Sequence, residues 1–243
     1  MTLNHSTLLL TGLLVPALVC AMPAEASVNA EMPIVTVGGS GSVSVKPDRA
    51  TIRLGAWHQA DTALEAQSRV NEVISKATEA IRELDIEGMM IQTSGLSLSP
   101  VYNYQRDKEP EITGYRASIT LSVRIDDIDR TGRVIDAAMK TGANQLQGVA
   151  FSLKDDSGAR RDALRKAVED ARMKAETIAD ALGRPIYGLV EVQEQGVSVP
   201  VMQRGAESFR AMASDSAPTP VEAGEIEVSA NIQITYQLSP VRR

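Results

Sequence analysis

From Tyr115 to Ile125 the chain alternates without a break: Tyr115, Ala117, Ile119, Leu121, Val123 and Ile125 are apolar, and Arg116, Ser118, Thr120, Ser122 and Arg124 are polar. A side-chain period of two puts every apolar residue on one face of a strand, the mark of an antiparallel sheet with one buried and one wet face. The same alternation returns in Val35, Val37, Gly39, Gly41, Val43 and Val45, and in Ala50, Ile52, Leu54 and Ala56. It returns again in Ile226, Val228, Ala230, Ile232, Ile234, Tyr236 and Leu238. A chain with this many half-buried strands has to cover their apolar faces with helices or with a second sheet.

Two long helical patterns supply that cover. Thr62-Ala-Leu-Glu65 fits a capping box, in which the Thr hydroxyl and the Glu carboxylate satisfy free backbone N–H groups. Behind it Ala66, Val70, Val73, Ile74, Ala77, Ile81 and Leu84 recur at spacings of three and four, and Gly88 lies beyond the end. The second pattern runs from Asp156 to Leu182, with Leu164, Ala167, Val168, Ala171, Ala175, Ile178, Ala179 and Leu182 as its expected buried set, closed by Gly183 and Pro185. Its Ala-rich stripe implies close packing on a sheet. A shorter helix, with Asp127 as its expected cap, passes through Val134, Ile135, Ala138 and Met139 to Gly142.

Leu96, Leu98, Tyr102 and Tyr104 share one face of an extended segment, and Gln105 to Glu111 reads as a hairpin loop. Leu146 to Leu153 and Ile186 to Val199 are further extended segments. Strand, helix, strand, strand thus occurs twice. The expectation is an α+β fold of two β-α-β-β units, mainly antiparallel sheet packed on long helices, with an extra short helix between them. The units are residues 34–126 and 146–239, and 127–145 is the connecting helix. Within the second, Pro200 to Gly224 is rich in Ala, Ser, Pro and Met and lacks a period, so 200–224 is expected to be a mobile loop.

The N-terminus carries a different signal. Leu8 to Val19 is apolar and too short to span a bilayer core of ~30 Å, and it leads to the small-x-small site Ala24-Glu25-Ala26. Residues 1–26 are therefore read as a cleaved signal peptide, with Ala26 and Ser27 flanking the cut, 27–33 as a flexible arm and the periplasm as the destination. A lipoprotein anchored through Cys20 is the alternative, although a lipobox places a small residue before its Cys and Val19 stands there. No later stretch is long and apolar enough to span a membrane.

The functional classes narrow quickly. Cys20 is the only cysteine of the chain and leaves with the signal, so the mature protein has no disulfide, thiol nucleophile or thiolate metal site. A formal net charge of −6 argues against a nucleic-acid partner, which draws on clustered Lys and Arg. Of two histidines only His58 survives processing, and a strand-end imidazole beside Trp57 is more simply a surface residue than a proton-transfer group. Asp126, Asp127 and Asp129 resemble a cation loop, but Gly132 and Met139 do not supply the Gly and Glu at the sixth and twelfth positions of an EF-hand. Capping and a solvated turn explain these carboxylates. Gly38 to Ser42 lacks the Gly-Lys-Ser/Thr of a phosphate loop and reads as a strand that another backbone approaches closely. The Arg and Lys residues of the long second helix are matched by acids at i, i+4: Asp162 with Lys166, Arg165 with Glu169, Asp170 with Lys174 and Arg172 with Glu176. Met89, Met90, Met202 and Met212 would be oxidant sinks only if exposed; core filling is the simpler reading. This leaves no catalytic, cofactor or metal residues, and Tyr102, Tyr104 and Tyr115 as the candidate binding or assembly residues, because Tyr supplies apolar area and a polar tip at small entropic cost.

Several ordered segments carry a resemblance. Gly39-Ser-Gly41 with Pro47-Asp48, Gln92-Thr-Ser with Leu98-Ser-Pro-Val-Tyr-Asn-Tyr104, Ile112-Thr-Gly-Tyr-Arg-Ala117, Ile135-Asp-Ala-Ala138, and Asp170-Ala-Arg with Lys174-Ala and Ala179 through Gly183 resemble the SIMPL-domain family. Within that family the chain resembles the exported bacterial members, the periplasmic immunogenic and oxidative-stress-defence proteins, over a domain spanning 34–239. The resemblance implies an α+β fold, an envelope location, a tendency to form homo-oligomers and an association with oxidative-stress tolerance. It implies no catalytic residue and no cofactor. The expected function is non-enzymatic, by self-association or by binding envelope proteins or peptide clients; a periplasmic holdase and an enzyme of unassigned type are the alternatives.

Processing is directly measurable. Intact mass of the exported protein should correspond to a chain starting at Ser27 with no thiol-reactive group, migrating identically with and without reductant. A diacylglycerol-modified Cys20 at the N-terminus would instead establish a membrane-anchored lipoprotein.

Overall fold

The computed structural model describes residues 32–106, 109–205 and 219–240. The Ala26–Ser27 junction, Cys20 and most of the 27–33 arm lie outside the described residues. The elements run β1 (Ile34–Val45), β2 (Arg49–Ala60), α1 (Ala63–Arg82), β3 (Met90–Asn103), β4 (Glu111–Ile125), a 3-10 turn at Ile128–Arg130, α2 (Thr131–Lys140), β5 (Gln145–Ser152), α3 (Ser157–Ala181), β6 (Ile186–Ser198), β7 (Met202–Gly205) and β8 (Ile226–Leu238). The fold is α+β, as the patterns predict.

The strands form two antiparallel sheets, one in the order β3-β4-β2-β5-β7 and one in the order β1-β8-β6. Helix α1 packs Ala66 and Val70 on Ala56, Ala117 and Ile119 of the larger sheet. Farther along, Ala77 and Ile81 join Ile52, Leu54, Leu121, Val123, Phe151 and the α2 residues Val134, Ile135 and Ala138 in the main core. Helix α3 covers the smaller sheet and makes a separate core with Val37, Ile226, Val228, Ala230, Ile232 and Ile234. Among the described residues every buried side-chain polar atom has a partner.

The repeated order is present, but its strands are dealt out differently. β5, expected to open the second unit, pairs with β2 in the larger sheet, and β1 takes its place beside β8. The order β1-β8-β6 under α3 then matches β2-β4-β3 under α1. Alternation states which face of a strand is buried but not which neighbour it pairs with. Here the helix decides. α3 buries a row of five alanines, Ala163, Ala167, Ala171, Ala175 and Ala179, and β1 meets that row with glycine. A Cβ on Gly39 would collide with the Ala167 carbonyl oxygen and lie 2.7 Å from the Ala171 Cβ; one on Gly41 would collide with the Ala163 carbonyl and lie 2.5 Å from the Ala167 nitrogen.

This contact also corrects the expected helix face. Val168, Ile178 and Leu182, expected inside, are exposed, because a helix riding this close to the strand admits only methyl groups along its contact line. Lys166 and Lys174, flanking the line, donate to the carbonyls of Ser42 (2.9 Å) and Gly38 (3.1 Å). Lys166 therefore does not pair with Asp162, which takes Arg165 at 3.0 Å instead, while Asp170–Lys174 and Arg172–Glu176 form as expected at 2.7 Å.

Other local expectations meet the same test. Thr62 caps α1 by accepting from the Glu65 N–H (3.2 Å). Asp127 makes no side-chain cap; its carboxylate pairs with Arg130 at 3.3 Å, and the 3-10 turn leads into α2. Of the segment 200–224, expected to be a mobile loop, residues 206–218 lie outside the described residues, and its two ends are tied to the fold. Met202–Gly205 pairs with β5 as an edge strand. Thr219 is held to α2 by its hydroxyl on Asp136 (2.6 Å), and Val221 and Ala223 reach the main core.

Gly39→Val should destabilise the protein by about 3 kcal/mol, the upper range for forcing atoms into a filled site. Gly38→Ala, on the open face of the same strand, should stay within about 0.5 kcal/mol of the parent. Urea unfolding midpoints of the two variants check this, and equal midpoints would contradict the close approach.

Candidate functional site

The residues left exposed by the fold define the candidate site. α1 lies over β2 and β4, and α3 lies over β1 and β8, so the third strand of each set is uncovered on its helix side. On β3 these uncovered positions include Leu96 and Leu98, which sit opposite Ile119 and Ala117 and are 65 % and 44 % exposed. On β6 they are Leu189 and Val192, opposite Tyr236 and Ile234, and 60 % and 53 % exposed. Both strands are sheet edges. Apolar side chains on an edge leave unpaired backbone and unburied surface in the same place, a combination that favours pairing with another chain.

Beside β6 the surface forms an open trough of about 650 Å³, walled by Val168, Ile186, Leu189, Val192, Ile234 and Tyr236. Arg172 stands at its rim with Nε donating to Glu176 at 2.7 Å. At the far end of β3, Tyr102 and Tyr104 lie with ring centroids 6.1 Å apart and interplanar angle 46°. Both are exposed, so they form an aromatic hairpin tip, whereas Tyr115, farther down β4, is half-buried against the α1 core. The structure thus groups two of the three candidate tyrosines and places the third in a packing role. The trough was not legible in the sequence: the bulky residues of α3 look like its buried face until the alanine row is seen at exact spacings of four.

The histidine, the carboxylates and the methionines do not converge on one place. His58 is exposed near the end of β2, opposite Ala117, and its imidazole makes no hydrogen bond among the described residues. Among those residues no three His, Cys, Asp or Glu side chains stand close enough to hold a metal ion. Met89 and Met202 pack against the main core, Met90 is exposed and accepts from Gln92 (3.4 Å) and Arg124 (3.5 Å), and Met212 lies outside the described residues.

Among the described residues Asp126 is the most perturbed acid, and its partners tie strand ends together. Its Oδ1 accepts from Arg49 Nε at 2.8 Å and its Oδ2 meets Lys154 Nζ at 2.7 Å, while the Lys154 N–H donates to Asp48 at 2.6 Å. These groups join the ends of β4 and β5 to the β1–β2 crossing. The Arg49 hydrogen bond, then that of Lys154, holds the Asp126 carboxyl down to about 2. Asp170 is lowered likewise, first by Lys174 and then by the Ser40 N–H, which it accepts at 2.8 Å.

The SIMPL family model, described as a protein of unknown function (DUF541), matches residues 35–236. The 26 kDa periplasmic immunogenic protein of Brucella melitensis is 30 % identical over 245 aligned positions, covering 97 % of this chain and 95 % of its own. The uncharacterized protein YggE of Escherichia coli K12 is 24 % identical over 230 positions, covering 92 % and 90 %. No helix among the described residues is long and apolar enough to cross a membrane.

Because Asp126 titrates lower folded than unfolded, its contribution is complete above the unfolded value of ~3.9 and is lost as pH falls through about 2. The stability difference between parent and Asp126→Asn should be constant from pH 7 to about 5 and shrink toward pH 2. Urea midpoints across this range check it; a difference that grows on acidification would contradict the assignment.

Proposed function

The chain belongs to the SIMPL family, and on that footing we propose that it is an exported, non-enzymatic periplasmic protein that works by self-association. The observation that carries the reading is the pair of long edge strands, β3 and β6, each with apolar side chains left uncovered by its helix. Pairing such edges between copies removes both liabilities at once, and closed symmetric assemblies are the common outcome. The relatives named periplasmic support the location. The scattered placement of His58 and the carboxylates supports a role without catalysis. The association with envelope and oxidative-stress tolerance rests on the family resemblance, and in this reading protection comes from the assembled protein rather than from its methionines.

A second reading has its own observation. Tyr102 and Tyr104 present two adjacent exposed rings at a hairpin tip, the kind of rigid apolar anchor that captures peptide segments of unfolding clients.

Static light scattering of the processed protein at micromolar concentration should give a mass that is a multiple of the protomer's. A strict monomer across ordinary salt concentrations would overturn the first reading. In a client-aggregation assay the double variant Tyr102→Ala, Tyr104→Ala should lose protection while keeping its unfolding free energy within about 1 kcal/mol of the parent, since both rings are exposed; undiminished protection would dismiss the tip.

A further inference from the structure

The larger sheet is poor in acids. Strands β2, β3, β5 and β7 contain no Asp or Glu, and β4 contains only Glu111, at its start. The apolar residues of β2 and β4 face α1 and α2, so the alternate residues form an open polar face on the other side. Arg53, Arg116 and Arg124 stand on that face, and among the described residues no carboxylate pairs with them. Arg49, at the end of the sheet, is held by Asp126, whose other oxygen meets Lys154. Arg124 is level with Thr51, which makes Arg53 its diagonal neighbour across β2 and β4, with backbones ~7–8 Å apart. Like charges this close repel one another, and an anion placed between them removes that penalty.

Arg116 stands toward the opposite end of the same face, ~27 Å from Arg124 at ~3.4 Å per residue along β4. Its guanidinium carbon lies 4.8 Å from the centre of the Trp57 ring, and its Nη2 donates to Gln59 at 3.3 Å. Stacking of this kind fixes the guanidinium plane and presents its edge as a fork for an oxyanion. Beside Arg53 the face is hollowed. Gly148 and Gly205 are level with each other on β5 and β7, and their missing side chains open a recess of about 90 Å³ walled by Thr51, Arg53, Gln147 and Gln203. Gln147 Nε2 donates to the Thr120 hydroxyl at 3.0 Å, which leaves the amide oxygen as an acceptor. Between the recess and Arg116 the surface stays low and polar, through Ser122 and Ser118 of β4 and Ser97 and Ser99 of β3.

We infer that this face binds an extended anionic glycan, with one acidic sugar seated in the recess on Arg53 and another on Arg116. A sugar ring carrying a carboxylate matches the recess: the acid takes the guanidinium fork, and its hydroxyls, each donor and acceptor, take the amides and the Thr51 hydroxyl. A nucleic-acid strand carries a charge on every phosphate and draws on cations all along its path, whereas here they stand at the two ends. An acidic peptide has the charges but not the hydroxyls that the serines and glutamines between them can bond. The site uses a sheet face and not an edge, so it stands apart from the self-association reading.

Trp57 is the only tryptophan of the chain and reports on the Arg116 end. The full-length chain is titrated at low salt with an alginate oligosaccharide, in which every sugar is a uronic acid, and with dextran, poly-glutamate and oligothymidylate of matched length. Alginate should change the Trp57 fluorescence saturably, with an affinity that falls as salt rises. Dextran should not bind, and poly-glutamate and oligothymidylate should bind at least about tenfold more weakly, for want of the sugar hydrogen bonds. By calorimetry, Arg53→Gln and Arg116→Gln should each weaken alginate binding about fivefold, the worth of one exposed charge pair. Arg69→Gln, which removes the same charge from the exposed side of α1, should stay within about twofold, since separated surface charges are screened. Absent alginate binding, equal binding of dextran, or an equal loss from Arg69→Gln would overturn the site. Poly-glutamate or oligothymidylate binding as tightly as alginate would overturn the glycan assignment.

Discussion

The close seating of α3 on β1 governs the architecture. Gly39 and Gly41 remove the side chains that would hold a helix at ordinary distance, and five alanines on α3 lie along the gap. At this separation backbone atoms of one element touch those of the other, and the lysines that flank the seam reach carbonyls of the strand beneath. Close packing of this kind is steep: each added methylene is felt, and no bulky residue finds room along the line. It draws β1 out of the sequence-adjacent sheet and into partnership with β8, leaving β5 to fill out the larger sheet.

The same seating creates the exposed surface. Because α3 is held down over β1 and β8, it stands away from β6, and the side chains on that side of the helix and strand face a trough rather than each other. α1 leaves β3 uncovered in the same manner. The site is therefore a consequence of how tightly two helices sit on two strands, and it appears twice because the arrangement of helix and strands appears twice.

Charge follows a different logic. The Asp126, Arg49 and Lys154 cluster, with Asp48 on the Lys154 N–H, ties together the points where the chain passes between sheets. Its strong perturbation comes from the Arg49 hydrogen bond and then that of Lys154, the geometry of a fastening between strand ends. A perturbed acid signals function only when something is left for it to act on.

Strand faces, helix extents and the Thr62 cap were legible in the sequence because each depends on neighbours within a few residues: side-chain period, capping chemistry and turn residues are local physics. The periodicity of Tyr115–Ile125 and Ile226–Leu238 could mean only half-buried strands, and Gly39 with Gly41 only a bend or a close approach. Which strand pairs with which was not legible, since alternation is satisfied by any partner in register. Nor was the buried face of α3, where Val168 and Ile178 outrank alanine in hydrophobicity but not in fit. The fates of Tyr102 and Tyr115 diverged for the same reason: identical residues on neighbouring strands differ only in whether a helix lies above them. Sequence by itself determined the elements and the faces they bury. Tertiary structure alone decided the partners, because pairing and exposure are set by which surfaces approach closely enough to exclude water, and that is a property of two segments at once.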